Sequence, residues 1–430
     1  MNIIYASLKD IVETSSGIGN VFFSTWYFIM PPIFYWAFRL MWMSHVFNDK
    51  FLPSIQWVLL EIIPPQNIEK SPKLMESFFA GIHGVDTTIP NNEKYILGRA
   101  IEFFSLELVG DSGDIHFYIR APKWDQGIIE SNIYAQYPDA QIVEVDDYIT
   151  TVPKIIPNKN WEVWGADAKL AGPDPMPIKT YNKFQEDITG KMIDPLSSVL
   201  EIMGRLGPNQ KIWFQILINP AKEGKEWPEY KKGQAMIDEL AGKKSDKRGL
   251  LENLKTDVFD VFGNLFKALH SEVEFPSKEE KKDEAPLEFR LTPGEKERLK
   301  ALEENMTKNQ FRCQIRFVYL GRRENFDKPG VVGGFWGAMK QFSDMYSNGI
   351  TIQDHTKTYA WYFMVKSRLR WRQRRLVQRY IDREPEGTLF TLSTTELATI
   401  FHLPDMSAMA PSIPRVASKL GGAPANLPFK

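Results

Sequence analysis

The sequence contains few of the residues that build disulfides and metal sites. Cys313 is the only cysteine among 430 residues, so no disulfide can form within the chain. This favours a reducing, cytoplasmic setting. The six histidines are far apart and form no His-x-x-x-His or His-Glu pair. The sequence therefore predicts no metal site and no cofactor.

Nucleotide-binding and catalytic motifs are lacking as well. Gly190-Lys191 has the ending of a phosphate-binding loop, but Gln185 stands where that motif requires glycine. Met192 replaces the serine or threonine that would bind magnesium. No arrangement of residues typical of a catalytic site is present. We therefore predict that the chain is not an enzyme.

The sequence has almost no overall charge bias, with a net charge of −1. Its length of 430 residues exceeds the size at which a single hydrophobic core usually stops growing. Hydrophobic residues make up 43% and charged residues 25%, as in ordinary globular proteins, so neither half is predicted to be disordered. The natural expectation is two compact domains plus an anchor.

One long apolar run stands near the N-terminus, from Val21 to Trp42, within an N-terminal segment of residues 1–50. As a helix it would measure about 33 Å, against about 30 Å for the hydrocarbon core of a bilayer. We interpret residues 20–44 as a transmembrane helix. Pro31-Pro32 predicts a kinked single pass, with a re-entrant hairpin as the alternative.

The predicted anchor has residues suited to the membrane interface. They are Trp26, Tyr27, Trp36, Arg39 and Trp42. Arg39 and Lys50 follow most of the apolar run and only Lys9 precedes it, which places the bulk of the chain on the cytoplasmic side. The expected localisation is the cell membrane, as a single-pass protein.

Residues 51–150 have the element order β-α-β-β-α-β. The run Ile55–Ile63 predicts a buried strand, and Ser71-Pro72 predicts the start of a helix. The loop Gly110–Asp114 lies between two β-patterned runs and predicts a hairpin. This order is typical of a ferredoxin-like domain, so the fold class is α+β.

Residues 151–365 repeat the order, which predicts a second ferredoxin-like domain in tandem. It is interrupted by a helical insertion at 221–310, in which Val258–Leu269 forms an apolar stripe and Thr292–Met306 a capped helix. The fourth strand is placed between Ile350 and Tyr362. A basic helix at 366–385 and an extended tail at 386–430 complete the chain.

The basic helix is the sharpest charge feature of the sequence. Its basic residues are Lys366, Arg368, Arg370, Arg372, Arg374, Arg375, Arg379 and Arg383, against a single aspartate. Arginine forks suit phosphate oxygens, so single- or double-stranded nucleic acid is the obvious candidate ligand. Anionic lipid is another candidate ligand. A structural helix paired with acidic partners is the interpretation that the sequence favours slightly over either ligand.

Several stretches together resemble one family. They are WVLLEIIPPQNIEKSPKLMESFFAGIHG at 57–84, FSLELVGDSGDIHFYIRAP and IESNIYAQYPDAQI between 104 and 142, PLSSVLEIMGRLGPNQKIWFQILINPA at 195–221, FRCQIRFVYL at 311–320 and LSTTELATIFHLP at 392–404. They are similar to the membrane-proximal region that precedes the motor in HerA/FtsK-like, conjugal-transfer or type IV secretion ATPases. The resemblance covers most of residues 55–428, but no position here matches an ATP-binding residue of that family.

The resemblance implies a membrane-anchored, non-catalytic accessory subunit of a type IV secretion or conjugation-like DNA-translocation system. Its expected partners are a P-loop ATPase on a separate chain, the membrane, DNA and further copies of itself. A nucleic-acid-binding module is the alternative, with the arginine-rich helix and Phe117 or Tyr118 on the sheet as contacts. The aromatic signature of RNA-recognition domains is missing, however, and a core role for Phe117 is favoured. A truncated motor fragment is a third hypothesis.

Overall fold

The computed structural model describes most of the chain from residue 26 onward. The described residues are 26–28, 30–65, 72–85, 89–100, 103–184, 193–221, 228–240, 291–385, 387, 389–405 and 413–414. They fall into two units. Residues 1–57 and 87–102 belong to what we call the N-terminal unit, and residues 58–86 and 103–430 to the sheet unit.

The described part of the N-terminal unit is helical. It contains α1 at residues 26–45 (residue 29 excepted), a π-helical turn at Val46–Phe51, one α-helical turn at Leu52–Ser54 and a second π-helical segment at Glu93–Leu97. Tyr95 in the last segment receives two hydrogen bonds from α1. Trp42 Nε1 donates to its carbonyl at 2.8 Å, and Arg39 Nη2 donates to its hydroxyl at 3.0 Å.

The prediction of a transmembrane anchor is wrong for the described residues, because none of their helices is both long enough and apolar enough to cross a membrane. Two prolines, Arg39 and several Trp and Tyr side chains dilute the apolar character of α1. Trp26, Tyr27 and Trp36, three of the predicted interfacial anchors, are exposed, whereas Trp42 and Arg39 contact Tyr95. The predicted single-pass localisation in the cell membrane loses its support with the anchor. Residues 20–25 lie outside the described residues.

The sheet unit contains one nine-stranded sheet, counted over the described residues. The strands are β1 (Trp57–Ile63), β2 (Phe104–Asp111), β3 (Asp114–Pro122), β4 (Gln141–Glu144), β5 (Trp161–Leu170), β6 (Gln210–Pro220), β7 (Gln310–Arg322), β8 (Ile350–Ile352) and β9 (Phe390–Ser393). β6 and β7 are buried at nearly every position, as expected of central strands covered on both faces.

The helices of this unit are α2 (Lys73–His83), α3 (Gln126–Gln136), α4 (Ser197–Gly204), α5 (Pro228–Leu240), α6 (Pro293–Met306), α7 (Gly333–Met339), α8 (Val365–Asp382) and α9 (Thr394–Ile400). Two of them begin with a reciprocal capping box, in which the N-cap hydroxyl and the carboxylate three residues on satisfy each other's backbone N–H groups. The pairs are Thr292 with Glu295 at α6 and Ser393 with Glu396 at α9.

The strand order is β4-β1-β3-β2-β6-β7-β5-β8, and β9 pairs with the first residues of β7. The prediction of two tandem ferredoxin-like domains is therefore wrong, because residues 51–150 and 151–365 contribute to one continuous sheet. β2 and β6 join the halves through eight antiparallel residue pairs, from Phe104↔Ile218 to Asp111↔Lys211. Each strand supplies the backbone hydrogen bonds that an open edge of the other would lack. Counted inward from β4 and from β8, the two halves of the sheet have the same strand order. The repeat in the sequence therefore forms two halves of one sheet.

Two apolar clusters cover the two faces of the sheet. Helices α2, α3, α4, α7 and α9 contribute to the larger one, in which Phe317 lies 4.2 Å from Phe335 between ring centroids. The opposite face carries Trp213, Val318 and other residues that pack against α8. The basic helix therefore lies across one face of the sheet.

Two local predictions are confirmed by the structure, and the prediction of an extended tail is partly wrong. The hairpin at Gly110–Asp114 is confirmed, and its turn residues Ser112 and Gly113 have φ of 55° and 103°, as a type I′ turn requires. The capped helix at 292–306 is confirmed as α6. Residues 390–400 of the predicted extended tail form β9 and α9 instead. The predicted stripe at 258–269 and Gly190-Lys191 lie outside the described residues.

Candidate nucleic-acid interface

Helix α8 is held on the sheet by a short apolar stripe. Its sequence contains neither glycine nor proline and is rich in arginine, leucine and glutamine, which favour helix. Leu376, Val377 and Tyr380 are buried, and the Tyr380 ring stacks on Trp213 with 4.9 Å between centroids. Arg383, whose φ of 54° is left-handed, ends the helix. Most of the basic residues lie on the remaining faces of α8.

Arg379 is part of a buried ion cluster. Its Nη2 lies 2.9 Å from Asp167 Oδ2, and Arg316 Nε lies 2.9 Å from Asp167 Oδ1. Arg316 Nη1 also donates to the Arg379 carbonyl at 2.7 Å. Burial lowers the pKa of Arg316, and the Asp167 carboxylate opposes that shift. Arg379 therefore stabilises the attachment of α8 to β5 and β7 and is not a surface group.

Arg383 belongs to a second buried cluster. Its guanidinium donates to Glu107 Oε1 at 2.8 Å and to Asp147 Oδ2 at 2.7 Å. Tyr148 donates its hydroxyl to Glu107 Oε2 at 2.8 Å. Burial alone would raise the pKa of Glu107, but the Arg383 guanidinium lowers it below its ordinary value. At this end the basic helix is a structural helix with acidic partners, and those partners are in its own chain.

Arg368 and Arg372 hold the segment that precedes α8. Arg372 Nη1 donates to the carbonyls of Tyr359 at 2.5 Å and Lys357 at 3.2 Å. Arg368 Nη1 donates to the Tyr362 carbonyl at 3.1 Å, and its guanidinium lies 4.1 Å from the centre of the Tyr362 ring. These two arginines position residues 357–362 and have less freedom to bind a ligand.

Four of the eight predicted residues remain on the outer face of α8: Lys366, Arg370, Arg374 and Arg375 are exposed. The first three make no salt bridge with any residue that the structure describes. Their spacing of four residues places them about 6 Å apart along the helix axis. Trp371 stands among them, and the Arg375 guanidinium lies 5.0 Å from the centre of its ring.

The outer face has a charge pattern that an isolated helix would disfavour. Like charges four residues apart destabilise a helix by about 0.2–0.5 kcal/mol per pair, and Lys366, Arg370 and Arg374 form two such pairs. No acidic residue occurs in α8 before Asp382 to compensate them. An anionic ligand along this face would remove the repulsion, so the arrangement is suited to a row of phosphates.

The sheet itself offers no stacking surface at the positions considered. Phe117 belongs to the larger apolar cluster, and Tyr118 is buried on the opposite face, where it stacks on Tyr148 with 5.1 Å between ring centroids. The hypothesis that either side chain contacts bases is therefore wrong, because both faces of the sheet are covered at these positions.

The described residues contain no group of three or more His, Cys, Asp or Glu side chains that could hold a metal ion. The histidines described in the interior make structural contacts. His402, for example, contacts Asp194 Oδ1 through Nε2 at 3.0 Å and the Ala398 carbonyl through Nδ1 at 2.8 Å. Burial raises the pKa of the Cys313 thiol well above its ordinary value, so it is not a reactive thiolate.

A family model, that of a domain of unknown function designated DUF8128, matches residues 49–415. The chain belongs to the DUF8128 family. No curated protein shows significant similarity to the sequence. The DUF8128 match contains β1 to β9 and all of α8, whereas α1 precedes it. The candidate interface is thus part of the DUF8128 domain.

Sequence reasoning found the basic helix of this DUF8128 domain but not the division of its residues. The i, i+3, i+4 spacing of Gln373, Leu376, Val377 and Tyr380 marks the buried side, and it could have indicated which arginines point outward. The acidic partners of Arg379 and Arg383 gave no local signal, since Asp167 and Glu107 are more than two hundred residues away in the chain.

Proposed function

We propose that the protein is a non-catalytic nucleic-acid-binding subunit of a DNA-translocation machine that works with a P-loop ATPase on a separate chain. One observation carries the binding part of this proposal. The outer face of α8 exposes Lys366, Arg370, Arg374 and Arg375 around Trp371, with no carboxylate in the helix before Asp382.

The anchoring of α8 makes the row of cations suitable for a regular polyanion. Buried pairs at Arg379 and Arg383 and the stacking of Tyr380 on Trp213 hold the helix on the sheet. A preorganised row loses less conformational entropy on binding than the same residues in a flexible tail. Guanidinium groups also donate in a planar fork that matches phosphate oxygens. Both features favour a phosphodiester backbone.

The translocation context comes from the family resemblance. The stretches that carry it lie on β1 and α2, on the β2–β3 hairpin, on α3 and β4, on α4 and β6, on β7, and on β9 and α9. These elements form the framework on which α8 is mounted. The resemblance therefore supports a shared framework, and with it a role beside the motor of such machines. No residue of this chain matches an ATP site, so the proposal assigns ATP hydrolysis to the partner.

Fluorescence anisotropy with labelled oligonucleotides over a range of salt concentrations tests the binding part. The double variant Arg370→Gln, Arg374→Gln should bind more weakly than the unmodified protein. Its plot of log affinity against log salt should be shallower by about 1.5, since each lost phosphate contact removes about 0.7–0.9 from the slope. Arg205→Gln is the matched control, because Arg205 is an exposed arginine at the end of α4, on the opposite face of the sheet.

Unchanged binding by the double variant, or no binding by the unmodified protein at low salt, would overturn the proposal. Vesicles with and without anionic lipid form a second arm of the experiment. Binding to anionic vesicles without binding to oligonucleotides would assign the basic face to lipid headgroups and would count against a nucleic-acid role.

The partnership with an ATPase needs its own test. The full chain carrying an affinity tag is purified from its native cells, and the proteins recovered in comparable amounts are identified by mass spectrometry. We expect a P-loop ATPase of the HerA/FtsK type among them. Recovery of the chain alone would contradict the accessory role and leave the nucleic-acid result unaffected.

A further inference from the structure

The segment in front of α8 presents an unusual number of aromatic rings to solvent. Tyr359, Trp361, Tyr362 and Phe363 are all exposed, with 73% of the Trp361 surface and 79% of the Phe363 surface accessible. Trp361 and Tyr362 contact each other edge-to-face at 5.3 Å between centroids. Large apolar side chains that remain exposed together usually mark a binding surface.

This aromatic segment is held in place. Arg372 donates to the Tyr359 carbonyl and Arg368 to the Tyr362 carbonyl and hydroxyl, so two helix arginines fix its backbone. Phe363 and Met364 both have positive φ, at 28° and 49°, a conformation that non-glycine residues rarely adopt. The chain therefore enters α8 through a tight turn with the Phe363 side chain outside.

The aromatic segment is continuous in the chain with the cationic face of α8. Trp371, 58% exposed, stands two turns into the helix and is flanked by Arg370, Arg374 and Arg375. Arg368 and Arg372 tie the exposed rings to the helix that carries the exposed cations. We treat the two groups as one surface, defined as residues 359–364 together with Lys366, Arg370, Trp371, Arg374 and Arg375. An acidic protein partner would pair with the cations, but it would need an apolar patch as well to cover the rings.

A surface on which aromatic rings alternate with cations favours binding of single strands over duplexes. In a duplex the base faces stack on one another, so a protein ring at the surface finds only the backbone. In a single strand each base has an accessible π-face, and proteins bind such strands by combining a basic groove with aromatic stacking. The cations alone suit either form of nucleic acid.

We propose that this surface binds single-stranded nucleic acid in preference to duplex, with bases stacking on Trp361 and Trp371 and phosphates contacting Arg370 and Arg374. The inference rests on the proposed function, because it specifies the ligand of the same face. It adds a role for the aromatic segment that the charge pattern does not supply.

The test compares an oligonucleotide with its own duplex, using the full chain and the anisotropy assay. Trp361→Ala and Trp371→Ala should each weaken single-strand binding by roughly tenfold and weaken duplex binding much less, since stacking contributes only with unpaired bases. Trp371→Phe should restore most of the affinity. Trp124→Ala is the matched control, because Trp124 is also exposed but precedes α3. Circular dichroism checks that each variant is folded.

The outcomes separate this inference from the proposed function. If single strand and duplex bind equally and the tryptophan variants change neither, the inference is wrong and the basic face stands as a general nucleic-acid site. If neither form binds, the nucleic-acid part of the proposed function is wrong, and this inference is overturned with it. If the variants lose the ATPase partner but keep their affinity for single strands, the aromatic segment is a protein-docking surface and the inference is overturned.

Discussion

Arg379 Nη2 lies 2.9 Å from Asp167 Oδ2, and both side chains are almost completely buried between α8 and the sheet. The same carboxylate accepts from Arg316, so one aspartate on β5 compensates two guanidinium groups. The basic residues at the C-terminal end of α8 therefore anchor the helix, whereas those on its solvent-facing side can contact a ligand. This division also makes the stability of the protein and its binding separable by mutation.

The buried pair between Arg383 and Glu107 should contribute strongly to stability. Arg383→Met leaves the Glu107 carboxylate buried without its cation, which should lower the free energy of unfolding by about 3–5 kcal/mol. Urea denaturation followed by tryptophan fluorescence measures this. Adding Glu107→Gln should recover part of the loss, because the uncompensated charge is then gone. If Arg383→Met alone were as stable as the unmodified protein, the stabilising role of the pair would be refuted.

Gly165 should be essential for the close packing of α8 on β5. A Cβ at this position would lie 2.4 Å from the Phe317 carbonyl oxygen and 2.5 Å from Leu376 Cδ2. Gly165→Ala should therefore cost about 1–3 kcal/mol of unfolding free energy by overpacking. In Gly127→Ala, the control in the first turn of α3, the added methyl meets nothing within 4 Å. That change should leave stability the same or raise it by up to about 1 kcal/mol. Equal melting temperatures for the two variants would contradict the prediction.

Glu396 should make stability fall as pH rises towards neutrality. Burial raises its pKa to about 7 from an ordinary value of 4.5, against the hydrogen bonds from Ser393 and the Ile178 N–H. Between these two values the folded state binds more protons than the unfolded chain, so the unfolding free energy decreases with pH and is level above about 7. Denaturation at a series of pH values should show this slope, and Glu396→Gln should remove it.

Glu295 provides the control for that experiment, since it occupies the same position of a capping box on the exposed helix α6. Backbone and hydroxyl donation from Thr292 lowers its pKa, so Glu295→Gln should not remove the decline between pH 4.5 and 7. A slope that persists in Glu396→Gln would show that another group is responsible.

Asp194 should govern stability on the acid side. Burial would raise its pKa, but His402 and the N–H groups of Leu196 and Asp405 hold it below the ordinary value of 3.8. The stabilisation is complete above that value and is lost as pH falls through the lower pKa of the folded state. Asp194→Asn should be less stable at neutral pH and show a flatter acid limb, whereas the exposed Asp139→Asn should match the unmodified protein. Identical acid unfolding curves for both would contradict this assignment.

Short-range patterns in this sequence predicted short-range structure well. The turn at Ser112-Gly113, the cap at Thr292 and the helix that follows Pro72 each depend on residues within a few positions of one another. The sheet as a whole depends on which strand edges meet. β2 pairs with β6 across about a hundred residues, and the sequence of neither strand identifies the other as its partner. That is why two separate domains were expected where one sheet exists.

The apolar run near the N-terminus shows a related difficulty. Counting apolar letters treats tryptophan and tyrosine as equal to leucine, although each carries a polar group that reduces the benefit of burial in hydrocarbon. The contacts of Trp42 and Arg39 with Tyr95 lie more than fifty residues apart in the chain. Only the three-dimensional arrangement reveals them.

The sequence by itself determined that α8 is a basic helix, since its composition and spacing are local properties. Tertiary structure decided what each basic residue does. Arg379 and Arg383 face carboxylates on distant strands and loops, Arg368 and Arg372 hold the aromatic segment, and Lys366, Arg370 and Arg374 face solvent. The physical reason is that a charge is buried only where a partner offsets its desolvation, and those partners come together only when the sheet forms.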